Sequence, residues 1–267
     1  MLNFSVLMSI YHKEKAKYLV ECLDSIAAQT LQPTEVIIVH DGYIPIVLKN
    51  VIKKYRKYLN IKTPMLPLSK GLGNALNEGL KSCKYEFIVR VDADDINLPT
   101  RFEENIKSLN NGYDLIGSYI QEFDENKKGK IRKAPLTNKK IRSYCKYRSP
   151  FNHMAVAYKK KIVLKAGGYS NNFIFKEDYY LWVKIINLSS KVCNLPKVLV
   201  LARFNENSIA RRGGRAYILS EFNFQKFLWD NNINNIIESF CIGSIRILLF
   251  MLPKKIKIIF YKLFLRS

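Results

Sequence analysis

The chain opens on an apolar run, Phe4 to Ile10, which predicts a first strand. Tyr11 to Lys15 is polar. Tyr18, Leu19, Cys22, Leu23, Ile26 and Ala27 then recur at helical spacing, predicting a helix that ends near Gln29–Thr30, before Pro33. Glu35 to Val39 (EVIIV) predicts a second strand stopping at His40–Asp41–Gly42. Strand, helix, strand within about forty residues is a right-handed βαβ unit. The same reading gives a helix over Ile46 to Tyr58, breaks at Pro64 and Pro67, and a helix after Lys70–Gly71–Leu72–Gly73–Asn74. Phe87 to Val91 is the β-branched run of a strand covered on both faces. Helices are expected over Pro99 to Leu109, Ile162 to Ala166 and Tyr180 to Leu188. Strands are expected over Tyr113 to Phe123, Ala155 to Tyr158 and Val198 to Leu201. This alternation predicts an α/β protein with a mainly parallel sheet flanked by helices.

The candidate chemistry sits where strands end. Asp92, Asp94 and Asp95 follow the Phe87–Val91 run, and three carboxylates so close repel one another unless a cation or water answers them. A hard divalent cation bridging carboxylates to a substrate's phosphates is the simplest answer. A solvated turn, with Asp95 or Asn97 capping the next element, is the structural alternative. Asp41 ends the second strand, where a carboxylate can accept from a ribose hydroxyl or a base N–H, or merely form an Asp-Gly turn. Gly71 and Gly73 before a helix let backbone approach a phosphate or serve a tight turn. Glu177 and Asp178 open an apolar helix, where acids suit the helix dipole or act as a general base. His153 reads by itself as a packed histidine, and Arg203 leads into a basic loop, Asn205 to Arg215.

Charge changes the picture of partners. The 267 residues carry a formal net charge of +22, which calls for an anionic partner. No Asp or Glu occurs from 126 to 176, a stretch suited to phosphates or lipid headgroups. Finger, helix-turn-helix and aromatic–basic interleaving patterns are absent, so nucleic acid is not the expected partner. Five scattered cysteines (22, 83, 145, 193, 241) and no signal-peptide pattern fit a reducing cytoplasm. Phe240 to Leu252 is apolar but shorter than a spanning helix needs. The last residues, KKIKIIFYKLFLRS, set Ile256, Ile259, Phe260, Leu263 and Phe264 on one face of a wheel and Lys254, Lys257 and Lys262 toward the other. That pattern predicts an amphipathic helix lying in a membrane interface.

Together, SVLMSIY, VIIVHDG, GLGNALNEGL, FIVRVDADDINLPTRFE, the FNH element and KEDYYLW, in that order, resemble the inverting glycosyltransferases of family 2, which have a Rossmann-like GT-A fold. Bacterial enzymes of O-antigen and exopolysaccharide assembly are the most similar type. The resemblance implies a GT-A domain over 1–215, with a nucleotide-sugar half (1–125) and an acceptor half (126–215), followed by a helical, membrane-associating tail (216–267). It implies that Asp41, Arg90, Asp92, Asp94, Asp95, Gly71 and Asn74 bind the nucleotide sugar, with Asn74 replacing a lysine that many relatives carry. It further implies that Asp94 and Asp95 hold Mn²⁺ or Mg²⁺, and that Asp178 is the base. Glu177, His153, Arg203 and Arg101 are further active-site candidates. The expected reaction moves a hexose from UDP-glucose, UDP-galactose or an N-acetyl relative to a saccharide on a polyprenyl diphosphate, forming a β-linkage. The expected place is the cytoplasmic face of the bacterial inner membrane. Two other readings are weighed. A haloacid-dehalogenase-type phosphohydrolase shares Asp-x-Asp but wants Thr or Val where Ile96 stands. A non-catalytic basic membrane- or nucleic-acid-binding protein leaves the acids unexplained.

Overall fold

The computed structural model describes residues 2–124, 127–170, 173, 176–204, 214–252 and 256. In chain order the elements are β1 (Phe4–Ile10), α1 (Ala16–Ala27), β2 (Glu35–Asp41), α2 (Ile46–Tyr55), β3 (Ile61–Lys62), β4 (Met65–Leu66), α3 (Leu72–Ser82), β5 (Phe87–Arg90) and β6 (Ile96–Asn97). Then come α4 (Arg101–Asn110), β7 (Leu115–Phe123), β8 (Lys128–Arg132), α5 (Asn138–Tyr144), β9 (Ala157–Lys159), α6 (Lys160–Lys165), α7 (Glu177–Leu188) and β10 (Val192–Arg203). Two helices, α8 (Arg215–Asp230) and α9 (Ile236–Met251), close the described chain.

One sheet runs β3-β2-β1-β5-β9-β7-β10-β6, with β4 also on β2 and β8 also on β7. The strands β1, β2 and β5 are parallel, as are β7 and β10, and β9 is antiparallel between the two groups. Side chains alternate across the strands, so each face has its own core. Phe4, Val6, Met8 and Ile10 of β1 pack with Leu19, Leu23, Leu48, Phe102 and Ile106 from α1, α2 and α4. Leu7, Ile37 and Val39 face the other way, toward Ala75, Leu76 and Leu80 of α3 and Trp182 of α7. Gly79 lets α3 lie flat on the sheet, since a Cβ there would stand 2.3 Å from Leu7 Cδ1.

The expected elements are present with shifted ends. The late strand is much longer than Val198–Leu201. It begins at Val192 and reaches Arg203 because β10 pairs along β7 through two register shifts, one absorbing Pro196 and Lys197 and the other Leu199. The loop expected over Asn205 to Arg215 lies outside the described residues up to 213, and Arg215 opens α8. The amphipathic helix expected in the final residues also lies outside them, apart from Ile256. All five cysteines are free thiols.

The α8–α9 hairpin packs on α7 through aromatic rings. Phe224 lies 4.6 Å from Tyr179 and Phe227 lies 4.7 Å from Tyr180, centroid to centroid. Between the helices Asn232 takes a left-handed conformation (φ 56°), which Asn tolerates better than most side chains. Asn235 and Glu238 then form a capping box that starts α9.

Candidate active site

Strand β5 delivers Arg90 to the carboxyl edge of the sheet, and the chain then turns through Asp92, Asp94 and Asp95. Arg90 is buried and its guanidinium pairs with Asp92 at 2.5 Å, while its Nε and Nη1 have no hydrogen-bond partner among the described residues. Asp95 is also buried. Its Oδ1 accepts from the Arg203 amide at 2.7 Å, and its Oδ2 has no partner among the described residues. Neither Asp95 nor Asn97 caps a helix: Asn97 gives its side-chain carbonyl to Arg101 and its amide to Ser25.

Electrostatics follow from this packing. Burial, then Asp92, pushes the Asp94 carboxyl up to about 6. Burial, then Asp92 and Asp94, raises Asp95 well above the usual carboxylate range. Glu14, in the loop after β1, is pushed up to about 7 by burial and by the charges of Asp94 and Asp92. Glu14 was not expected from sequence. It belongs to a polar run with no motif of its own, and only the fold sets it beside the acids.

A polar edge of α1 holds the acid loop from beneath. The Cys22 thiol donates to the Asp92 carbonyl at 3.2 Å, and Ser25 Oγ accepts from the Asn97 amide at 3.0 Å. Gln29 donates to the Leu98 carbonyl and accepts from the Phe102 amide. Arg203 clamps the same loop from β10. Its Nε donates to the Asp94 carbonyl at 3.1 Å, a second nitrogen pairs with Glu21, and the guanidinium lies between the rings of Tyr18 and Phe123. Arg101 is completely buried and donates to the Arg90 carbonyl at 2.6 Å, and burial followed by Arg90's charge lowers it to about 9. Arg203 and Arg101 therefore build the loop's shape.

Asp41 ends β2 as expected, but its carboxylate holds protein. It accepts from Ser69 Oγ (2.9 Å), the Lys70 amide (2.7 Å) and the Gly71 amide (3.1 Å). The Gly42 turn that allows this has φ +79°, and a Cβ there would meet the Ser69 nitrogen at 2.7 Å. Gly71 takes φ +85°, and Asn74 donates to the Lys70 carbonyl, so both shape the turn that starts α3. Gly73 brings that turn against the other half of the site, since a Cβ would lie 3.4 Å from Tyr169 Cβ and 3.5 Å from Glu177 Cβ.

Glu177 and Asp178 open α7. Burial pushes Glu177 up to about 7, with Asp178 adding to the rise and Arg90 opposing it. His153 meets Tyr169 (Nε2 to hydroxyl, 3.3 Å) and packs on Trp182, and burial plus the charge of Arg90 lowers its pKa well below the usual value. The field of Arg90 thus reaches Asp92, Asp94, Asp95, Glu177 and His153. Among the described residues no three acidic, His or Cys groups cage a cation by themselves. The donor set fits a cation held by one or two carboxylates and completed by a substrate's phosphates.

Residues 5–167 match the profile of "Glycosyl transferase family 2", more than half of the chain. The chain belongs to glycosyl transferase family 2. Over 269 residues the glycosyltransferase is 41% identical to a protein of Escherichia coli named UDP-Gal:alpha-D-GlcNAc-diphosphoundecaprenol beta-1,3-galactosyltransferase, covering 99% of this chain and 97% of the other. It is 39% identical over 220 residues to the amylovoran biosynthesis glycosyltransferase AmsE of Erwinia amylovora, covering 82% of each. Among solved structures it superposes on S. aureus TarS 1–349 in complex with UDP-GlcNAc with a TM-score of 0.71, at 20% identity, covering 89% of this chain and 69% of that one. The mannosyltransferase PcManGT of Pyrobaculum calidifontis, in complex with GDP-Man and Mn²⁺, superposes with a TM-score of 0.61 at 15% identity, covering 96% and 72%. These likenesses establish the GT-A fold.

Proposed function

We propose that this glycosyltransferase moves a hexose from a UDP-sugar (UDP-galactose, UDP-glucose or an N-acetyl relative) to a saccharide carried on a polyprenyl diphosphate, with inversion at the anomeric carbon. The product would be a β-linked unit of an O-antigen or another surface polysaccharide. The observation that carries this reading is the convergence on Arg90: the acid loop and Glu177, next to Asp178, feel the same guanidinium, and Tyr169 feels Arg90, Asp92 and Asp178 together. The name of the Escherichia coli relative supports the donor and acceptor class.

In this reading Asp178 takes the proton from the acceptor hydroxyl. The freed oxygen forms its bond to the anomeric carbon as the bond to the diphosphate breaks, and UDP leaves with the electron pair. A single displacement turns an α-linked donor into a β-linked product. Asp94, the less buried of the Asp94–Asp95 pair, would hold Mn²⁺ or Mg²⁺ with Asp95 behind it. The cation, when bound, neutralises charge growing on the leaving diphosphate. Asp41, Gly71 and Asn74 would set the loop against which the nucleotide lies, and Glu14 would border it. The basic stretch after residue 126 and the C-terminal helices support a peripheral position on the inner face of the inner membrane.

The test is UDP release across a panel of UDP-sugars with a lipid-linked N-acetylglucosamine acceptor. Asp178→Asn is expected to lower kcat on the order of 10³-fold with UDP binding retained. Full activity in that variant would remove the base assignment.

A further inference from the structure

Helix α9 is built inside out. A helix at a protein surface ordinarily turns its charges to water and its apolar stripe to the core. The sixteen residues of α9 hold two charged side chains, and both are paired with neighbouring segments, Glu238 from a partly exposed position at the helix start. Glu238 pairs with Lys146 at 2.7 Å, and Arg246 pairs with Glu221 of α8 at 3.1 Å. Ser239 and Gly243 turn inward: Gly243 crosses α8 so closely that a Cβ would lie 3.1 Å from Gln225 Cγ. The outward face is left to Ile236, Ile237, Phe240, Ile245, Leu248 and Met251. Of these, Phe240 is 75% exposed, Ile237 71% and Met251 69%. Ile237, Phe240, Leu248 and Met251 fall within about a third of a turn of one another, with Cys241 and Ser244 between them and Ile236 and Ile245 at the flanks.

Charge selects the occupant. The hairpin's neighbour is the acid-free stretch. Lys146 of that stretch pairs with Glu238, the Tyr147 carbonyl accepts from Arg246, and Lys139 and Lys140 of α5 stand exposed just before them. No acid follows Glu238 in the sequence, while Lys254, Lys255, Lys257, Lys262 and Arg266 do. An exposed apolar face on a helix joined to an acid-free, basic stretch of the chain matches an anionic bilayer, with acyl chains below and phosphate headgroups around. At sixteen residues α9 is too short to cross, and no described helix is long and apolar enough to do so.

We propose that the outward face of α9 is a lipid-docking surface on which the enzyme lies, its apolar residues in the interface of an anionic membrane. The inference rests on the proposed lipid-linked acceptor and adds the face that meets the bilayer. It also gives the docked helix a path to the chemistry. Arg246 and Lys176 share the buried carboxylate of Glu221, and Lys176 is the residue before Glu177 and Asp178. The membrane-facing hairpin and the base end of the site form one joined body, so docking brings that end toward an acceptor anchored in the same leaflet.

The experiment sediments the full chain with vesicles of phosphatidylethanolamine and phosphatidylglycerol, and with vesicles of phosphatidylcholine alone. The wild type is expected to partition onto the anionic vesicles. The double substitution Phe240→Glu/Leu248→Glu is expected to weaken that partitioning about tenfold or more, because two side chains lose their apolar burial. Transfer to a water-soluble, short-chain acceptor should be unchanged, and transfer to a long-chain acceptor in vesicles should fall with the partitioning. Phe240→Ser/Leu248→Ser serves if the Glu pair fails to fold. Undiminished partitioning of a folded variant overturns the proposal. So does a wild-type dimer that the substitutions turn into a monomer while lipid binding stays the same. Equal partitioning onto phosphatidylcholine overturns the choice of an anionic surface. Sedimentation needs no substrate, so failure of every UDP-sugar in the soluble assay would sink the proposed reaction and leave this result standing.

Discussion

Asp95 and Glu221 are both carboxylates with almost no exposed surface, 3% and 0%, yet the chain treats them in opposite ways. Burial disfavours the charge on each. At Glu221 the cations Arg246 and Lys176 outweigh burial and hold the carboxyl below its ordinary range, with Gln225 donating as well. At Asp95 the nearest charges include Asp92 and Asp94, which add to the burial, and one oxygen has no partner among the described residues. A buried acid whose charge is answered inside the protein is a joint. A buried acid whose charge is left over is a place prepared for something else. The hairpin end of the molecule is electrostatically closed and apolar outside, whereas the sheet's carboxyl edge is electrostatically open. That contrast separates the scaffold from the site more sharply than burial alone.

The largest test of the contrast removes a charge from the open side. Asp94→Asn is expected to lower kcat/KM on the order of 10³-fold, since the missing carboxylate weakens stabilisation of the departing diphosphate. Isothermal titration of UDP with Mn²⁺ should show the loss. Unchanged metal-dependent UDP binding would move the cation away from this loop. Next comes the closed side. Glu221→Gln leaves Lys176 and Arg246 poorly answered in a buried place, and about 3 kcal/mol of stability is expected to go in denaturant unfolding. Because Lys176 precedes the base pair, kcat should also fall while the KM for the donor holds. A variant as stable as the parent would mean that the ring contacts of Phe224 and Phe227 suffice to dock the hairpin.

Much of this was legible before any coordinates, for reasons that can be named. Strands β1 and β2 are buried on both faces, so unbroken apolar runs such as Val6–Met8 and Val36–Val39 stand out. The three aspartates announce themselves because such crowding needs a reason. The acid loop's supports were hidden. Cys22 reads as one of the apolar positions of α1, Gln29 as its end, and Glu21 and Ser25 carry no signal; only the fold turns these residues under Asp92 and Asn97. Strands β3, β4 and β6 have two residues each, too few for a period, and β8 (KGKIR) is exposed throughout with Ile131 its one apolar residue. Asp41 was placed correctly at its strand end. Its bonds to Ser69, Lys70 and Gly71 could not be foreseen, because they depend on where a loop some thirty residues later returns. The apolar run of α9 was visible too, but which way it faces was not: that is set by Glu221 and Gln225 on another helix.

The open side also predicts a pH response. Asp94 titrates near 6 in the free enzyme and binds a cation only as the carboxylate. The Mn²⁺ requirement measured with UDP should therefore steepen below pH 6, approaching about tenfold per pH unit. A requirement that stays flat from pH 7 to pH 5 would show that Asp94 is not a ligand.

The smallest effect is the most discriminating, because it has the unusual sign. Asp95→Asn should make the ligand-free enzyme more stable, by about 1 kcal/mol. The side-chain carbonyl of Asn can still accept from the Arg203 amide, and the amide group replaces an oxygen that repels Asp92 and Asp94. The pH dependence comes from linkage. The folded protein raises the pKa of Asp95 above its unfolded value of 3.8, so between the two the native state binds the extra proton and stability falls as pH rises. The advantage of Asn should be absent near pH 4, grow as the pH is raised, and level off once Asp95 ionises in the fold. The same variant should bind UDP with Mn²⁺ less well, because the repulsion it relieves is what a cation would otherwise answer. Thermal unfolding of both proteins across that pH range decides it: a variant less stable than the parent at pH 8 would place Asp95 with Glu221, among the acids that hold the fold together.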